Sequence, residues 1–411
     1  MASSRTLLKI TLVIAALLVT TTVIITTPIE AKSQSVQWSW NGGSTVQVNY
    51  PALSPNGDIF TYSVSATNAT LYAISPEGMS LWNGSMALAN IPQFGSDGTV
   101  FLPVVVSNTR VNGSGLMVLD QAGKLKWTFA VPGISEGMLV LPDGGVVLGA
   151  MAVFPGQHSL ICLNADGSER WTKGDYETNL TNPMMYPVGI HGNDILVSST
   201  SYSTPARSTI TEYSPDGTAR FTFGTDFAPL SISFAYDGTM RMVGFNYTRS
   251  TDYEYLYGLS ANGSFLWATP LSNEYGDLVL LPDGTTVYGE LTGTTSLVLN
   301  VHAVDGNGNV LWSTANAKSI PVAFGSGILI SNSTALMLVD RDGGIIWKLS
   351  GSYFGQPVTD GKTIYAGHSG NLVAISESSW KMTWQPAVLV LTIMVAMIGV
   401  AMLGGRTPRL K

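Results

Sequence analysis

Cysteine is all but missing. Cys162 is the single thiol in 411 residues, so no disulfide can form within the chain and no cysteine cluster is available for zinc. Histidine is nearly as scarce: His158, His191, His302 and His368 are far apart, without the paired spacing that metal motifs use. Charged residues make up 11% of the chain, against about 25% in an ordinary soluble protein. Basic residues are the scarcer sign. Between residues 33 and 384 there are 26 Asp and Glu against 14 Lys and Arg, which leaves that stretch twelve units negative. This balance argues against nucleic acid as a partner and against electrostatic attraction to anionic lipid.

What the chain does have is glycine, 44 residues of it, in a recurring place. Seven times an apolar strand leads into a polar turn ending in Gly, with an aromatic four residues later. The pairs are Gly78/Trp82, Gly123/Trp127, Gly167/Trp171, Gly217/Phe221, Gly263/Trp267, Gly308/Trp312 and Gly343/Trp347. A looser eighth copy runs from Leu372 through Trp380. Upstream of each pair lies a second hairpin, with Asn-Gly or Asp-Gly turns at Gly57, Gly98, Gly144, Gly238, Gly284 and Gly361. Such dipeptides between apolar runs signal hairpins, because Gly and Asn tolerate positive φ. Each unit therefore reads as four short strands, a to d. Self-similarity at roughly 35 to 50 residues signals a solenoid or a propeller, and four antiparallel strands repeated radially make a propeller blade. The expected fold is all-β: an eight-bladed β-propeller, with seven blades as the alternative because the last two units are short. The aromatics Trp82, Trp127, Trp171, Phe221, Trp267, Trp312 and Trp347 read as packing between blades.

The c–d hairpins resemble the PQQ-like repeat of quinoprotein-type propellers, in which a small residue, any residue and Asp precede a turn, Gly and Trp. Ala303-Val-Asp305-Gly-Asn-Gly308-Asn-Val-Leu-Trp312 fits well; Asp120, Asp305 and Asp340 keep the Asp. The resemblance covers about residues 50 to 384 and implies the fold. PQQ-dependent dehydrogenases of that fold family carry a larger propeller, a vicinal Cys pair and Ca²⁺ ligands. With one cysteine and no such loops, neither quinone nor any other cofactor is expected here. Asp305-Gly-Asn-Gly-Asn309 looks like the start of a calcium loop, but it occupies a repeat turn and reads as a hairpin.

The ends indicate the compartment. Arg5 and Lys9 precede an apolar run from Ile10 to about Thr27, so residues 1–31 read as a signal peptide or N-terminal anchor. Residues 33–384 are the propeller. Residues 386–405 include the uncharged apolar run Ala387 to Leu403 and are long enough for a transmembrane helix. The basic tail 406–411 carries Arg406, Arg409 and Lys411, which places it in the cytoplasm and the propeller outside.

Tight a–b and c–d turns lie on one face of such a ring, and the b–c and d–a connections on the other. The latter read as long loops at 105–115, 171–187, 200–208 and 245–255. Variable loops on a rigid scaffold are where binding is usually built. The candidates in them are Tyr176, Glu177, Tyr202, Arg207, Tyr247, Arg249, Asp252, Tyr253 and Tyr255, a polar aromatic set suited to glycan or protein. The candidate glycosylation sequons are Asn68, Asn83, Asn112, Asn179, Asn246, Asn262 and Asn332. Asn262 falls in a tight turn, the other six in the long connections. The sequence thus favours a non-enzymatic cell-surface binding or scaffolding propeller, whose partner is an unidentified surface protein or glycan. The alternatives are an extracytoplasmic glycan-active enzyme with a site in the central funnel, and an envelope assembly factor. Finally, Val36-Gln-Trp38-Ser-Trp40 has the pattern of a d strand lacking its own a, b and c, and is expected to complete the last blade.

Overall fold

The computed structural model describes residues 30–42, 49–64, 69–86, 91–108, 111–131, 134–151, 158–174, 184–201, 207–235, 237–245, 254–271, 278–292 and 298–381. Residues Val36–Ser376 form one compact unit; the flanking Met1–Ser35 and Glu377–Lys411 make a second. The described residues of the first unit are an eight-bladed propeller of four-stranded antiparallel sheets. Blades 1 to 7 occupy residues 49–86, 93–131, 134–173, 184–225, 228–270, 279–317 and 322–350, each with its strands in chain order. Blade 8 takes strands a to c from Tyr353–Thr359, Thr363–His368 and Asn371–Lys381, and its d strand is the N-terminal Glu30–Trp40. Strands from the two ends of the described residues therefore meet in one sheet, and the c strand of the last blade is covered rather than left at an edge.

The turns explain the glycine pattern. In each c–d turn the glycine N–H donates to a carbonyl three residues back, and that residue's own N–H donates to the carbonyl following the glycine. At blade 1 these bonds are Gly78 N to Ser75 O at 2.9 Å and Ser75 N to Met79 O at 2.8 Å. The same pair recurs in five of the a–b turns, as at Gly57 and Gly284. This is a type I turn closed by a glycine bulge, so one left-handed residue suffices where an Asn-Gly two-residue turn would need two. The first turn residue stabilises the loop with its side chain. Asp120 Oδ1 accepts from the backbones of Ala122 and Lys124, Asp340 Oδ1 does so from Asp342 and Gly344, and Ser75 Oγ performs the same task in blade 1. Asp305 is likewise committed: Oδ1 takes the N–H groups of Asn307 and Asn309, and Oδ2 the Asn309 side chain.

In two of the expected long loops the described residues are strand. The 105–115 connection is a continued ladder, with Asn108 paired to Val111. At 200–208 pairing runs out to Ser201 and Arg207. Extending the hairpin satisfies backbone groups that a loop would leave to water.

The core is divided among the seams. Eight clusters of buried side chains each bridge one pair of neighbouring blades. At six seams an indole lies across the boundary onto the next c–d turn. Trp38 donates to Pro76 O at 2.8 Å, Trp82 to Gln121 O at 2.8 Å, Trp127 to Ala165 O at 2.9 Å, Trp171 to Pro215 O at 2.9 Å, Trp267 to Gly306 O at 2.8 Å and Trp312 to Arg341 O at 2.7 Å. Each ring covers the turn glycine so closely that a Cβ there would meet it, as at Gly78 under Trp38 and Gly167 under Trp127.

Two seams differ. Phe221 stands where other blades have Trp, but its ring is 42% exposed, and Phe223 covers Gly263 instead. The assignment of Phe221 as the packing aromatic is thereby corrected. Its smaller ring has no N–H to give the turn, and the residue two further along reaches the glycine. Trp347 packs between blades 7 and 8, where strands c and d come from opposite ends of the chain and no c–d turn joins them. Its Nε1 is buried without a hydrogen-bond partner among the described residues.

Paired glycine variants separate backbone strain from seam packing. Gly167 and Gly284 have φ of 85° and 87°, so alanine costs about 1–2 kcal/mol of left-handed strain at either. At Gly167 the added Cβ would lie 2.7 Å from Trp127, whereas at Gly284 nothing lies within 4 Å. Gly167→Ala should therefore lower stability by a further 1–3 kcal/mol or so, the usual cost of overpacking, as read from urea unfolding of both variants.

Candidate functional site

Along the axis, the a strands of blades 5 to 8 line a cavity of about 520 Å³ formed by Ser231, Ser233, Leu278, Val279, Leu280, Pro321, Val322, Ala323 and Gln356. Ser231 and Ser233 follow the two-residue period of a strand that shows every second side chain to the channel, whereas 278–280 and 321–323 line it with three successive residues each, at the start of their short a strands. The lining offers hydroxyls, one carboxamide and aliphatic surface. Among the described lining residues there is no carboxylate, imidazole or amine, and they can hydrogen-bond and pack a ligand.

A second cavity, of about 340 Å³, opens where the repeat loses its tryptophan. Gly224, Thr225, Asp226, Phe227, Tyr255, Tyr257, Leu259, Gly263, Phe265 and Ala268 line it between blades 4 and 5. Phe227 stacks on Tyr257 with ring centroids 3.6 Å apart, and Phe265 stands 64% exposed beside them. Of these aromatics sequence reading singled out Tyr255 alone, and assigned it to a loop. It is half-buried in the c strand Glu254–Leu259, paired with Gly244 and Pro270. The sequence signal for the cleft is the break in the repeat itself, phenylalanine at 221 in a column of tryptophans.

A third grouping crosses blade 6. His302 Nδ1 lies 2.7 Å from Ser313 Oγ, and its Nε2 lies 3.0 Å from Glu290 Oε2, though off the hydrogen-bond direction. Tyr288 stacks on the imidazole at 5.2 Å, and burial, with Glu290 beside it, pushes the Tyr288 phenol up to about 12. The three polar residues come from strands b, c and d, with His302 directly opposite Ser313. Their spacing in sequence matches no catalytic motif, which is why the row is invisible before folding.

The remaining predicted residues are scattered. Tyr176, Glu177, Tyr202, Tyr247, Arg249, Asp252, Tyr253, Asn68, Asn179 and Asn246 lie outside the described residues, as do both terminal apolar runs. Arg207 opens the c strand of blade 4. Asn83 and Asn112 are corrected from loop to strand: Asn83 sits exposed in the d strand Ser80–Met86, opposite Tyr72, and Asn112 lies opposite Ser107. Asn262 occupies its c–d turn. Asn332 lies in a b–c connection, where its Oδ1 accepts from the N–H groups of Thr334 and Ala335. Cys162 is fully buried at the seam of blades 3 and 4, where desolvation pushes its thiol up to about 11. Among the described residues no group of three or more His, Cys, Asp or Glu could hold a metal ion. No helix among them is long and apolar enough to cross a membrane.

No family model and no curated protein matches the chain. Among solved structures it is similar to virginiamycin B lyase from Staphylococcus aureus, at 10% identity over 84% of this chain and 99% of that one, with a TM-score of 0.40. It is similar too to the WD40 domain of Neurospora crassa Pan2, at 9% identity over 80% and 89%, TM-score 0.43. A protein of unknown function from Bacteroides caccae aligns at 13% identity over 60% and 92%, TM-score 0.37. These likenesses carry no inference about activity.

The tight-turn face makes acid stability a readout of the fold. Asp216 is held down at about 2 by the Ser214 hydroxyl and the N–H of Thr218. Asp97 is lowered chiefly by the Thr99 N–H, Asp166 by the Ser168 hydroxyl, Asp237 by that of Thr239 and Asp305 by the Asn309 amide. Asp58 runs the other way, raised by burial and then by Glu77. A carboxyl depressed on folding stabilises the fold above its unfolded pKa of 3.8 and loses that contribution as pH falls through the folded value. The melting temperature should therefore be flat through neutrality and fall between roughly pH 4 and pH 2. Asp216→Asn, which keeps an acceptor oxygen, should flatten part of that fall in a thermal scan across the range.

Proposed function

We propose that this chain is a non-enzymatic binding or scaffolding propeller of the PQQ-like repeat type, held at a membrane by its C-terminal apolar segment. In this reading the propeller faces the extracytoplasmic side and the basic tail 406–411 the cytoplasm. The observation that carries the binding role is the axial cavity: Ser231, Ser233 and Gln356 offer directional hydrogen bonds among aliphatic walls, the composition of a recognition site rather than a hydrolytic one. The ligand class that suits such a lining, and the exposed Phe265 of the blade 4–5 cleft, is a glycan or a surface protein. The anchoring role rests on the uncharged run Ala387 to Leu403 followed by Arg406, Arg409 and Lys411. Glycosylation at Asn262 and Asn332, both at partly exposed turns or connections, belongs to the same proposal.

An enzymatic reading has one observation of its own, the Glu290–His302–Ser313 row, which lies away from the axial cavity. A serine-directed fluorophosphonate that labels the chain, and fails to label Ser313→Ala, would support it.

The full chain, tagged at its C terminus and expressed in intact cells, tests the main proposal. It should stay in the membrane through alkaline carbonate, with the tag reached by impermeant reagents only after permeabilisation. Proximity labelling from the propeller should mark exterior proteins or glycans. Release by carbonate, or labelling confined to cytoplasmic proteins, would contradict it.

A further inference from the structure

The residue three places after each c–d turn glycine occupies one structural position, at the start of the outer strand beside the tight turns. In blades 2, 3 and 4 it is basic and paired with its own blade: Lys126 to Asp97 at 3.9 Å, Arg170 to Asp143 at 2.8 Å and Arg220 to Asp194 at 2.7 Å. In blades 5, 6 and 7 the same position holds Leu266, Leu311 and Ile346, each preceded by another large apolar residue, Phe265, Val310 and Ile345. These six side chains are between 40% and 64% exposed. Exposed apolar pairs repeated on three successive blades mark an interaction surface. Blade 1 has a single exposed apolar residue there, Leu81 behind Ser80, and blade 2 has Leu125 ahead of Lys126. Paired apolar residues thus mark blades 5 to 7 and paired charges blades 2 to 4, and the doubled apolar side borders blade 8.

Blade 8 is where the chain enters and leaves. Its outer strand begins at Glu30, two residues after the apolar run that ends near Thr27, and its third strand ends at Lys381, five residues before the run that begins at Ala387. Five residues reach at most about 18 Å. We propose that the outer rim of blades 5 to 7 rests in the interfacial zone of the membrane that these apolar runs enter, with the charged rim of blades 2 to 4 turned away. This rests on the anchoring reading given above. A lipid surface fits the strip better than a second copy does. The strip follows the convex outside of a ring, so two identical strips could touch over little more than a blade, and both partners carry the same negative charge. The contact is apolar, so it requires no anionic lipid.

Single-cysteine labelling tests this directly, because the native Cys162 is fully buried and silent. Full-length chain carrying Leu311→Cys or Ile346→Cys, with Glu169→Cys and Ala219→Cys on the opposite rim as controls, is reconstituted into phosphatidylcholine vesicles and labelled with an environment-sensitive dye. The dye at 311 and 346 should shift to the blue and be quenched by nitroxide-bearing lipid several-fold more than at 169 or 219. Equal solvent exposure at all four sites, in chain that floats with the vesicles, overturns the proposal while leaving the anchor intact. A shift that depends on protein concentration and not on nitroxide lipid means that a second copy covers the strip, and overturns it too. Chain that does not float with the vesicles defeats the anchoring reading and the proposal together.

Discussion

An indole laid over a left-handed glycine is the contact on which this ring depends. The glycine supplies a turn without a Cβ, the preceding blade supplies a flat ring to cover it, and the indole N–H satisfies a turn carbonyl that would otherwise face water. Each such hydrogen bond is worth about 1 kcal/mol net, a modest sum beside the apolar area buried in the eight seam clusters. Its importance is geometric. It locks the outer strand of one blade to the turn of the next, which fixes the angle at which successive sheets meet. Because the contact is sequential, the last one must return to the first blade. Trp38, on the N-terminal strand of blade 8, makes that return to Pro76, and Trp40 reinforces it through Ser80 at 2.8 Å.

The two seams that break the pattern are informative for the same reason. Between blades 4 and 5 a phenylalanine takes the place of the indole, and an aromatic cleft opens there. Between blades 7 and 8 the ring closure removes the turn itself, and Trp347 keeps a buried N–H with nothing among the described residues to receive it. A stable ring of regular seams can carry such defects, since each seam holds its own core. The defects, together with the axial cavity and the uneven rim, are the features that distinguish one blade from another.

Most of the fold is legible in the sequence because its determinants are local. A glycine bulge needs Gly at one place, a seam needs an aromatic four residues on, and both recur in register from Gly78 to Trp347. The closing role of Val36–Trp40 is legible as well, since a lone d strand has no other sheet to join. The cavities are not. Ser231, Val322 and Gln356 come together only when blades 5 to 8 converge on the axis, and His302 meets Glu290 and Ser313 only across strands. Phe223 shows the limit of reading by repeat. The pattern picks Phe221, while the geometry of a smaller ring selects the residue two places later. The repeat places Asn83, Asn112 and Tyr255 in connections, but the strands run further than the turn signals mark, and all three lie in ladders.

The most direct test of the indole account compares two identical substitutions at seams that differ in one respect. Trp38→Phe and Trp347→Phe remove the same atoms from ring edges, but Trp38 donates across the seam and Trp347 donates to none of the described residues. Denaturant midpoints measured side by side should show Trp38→Phe less stable than Trp347→Phe by about 1 kcal/mol, the net worth of a hydrogen bond. Equal losses, or a greater loss at Trp347, would contradict the claim that indole-to-turn hydrogen bonds join the blades.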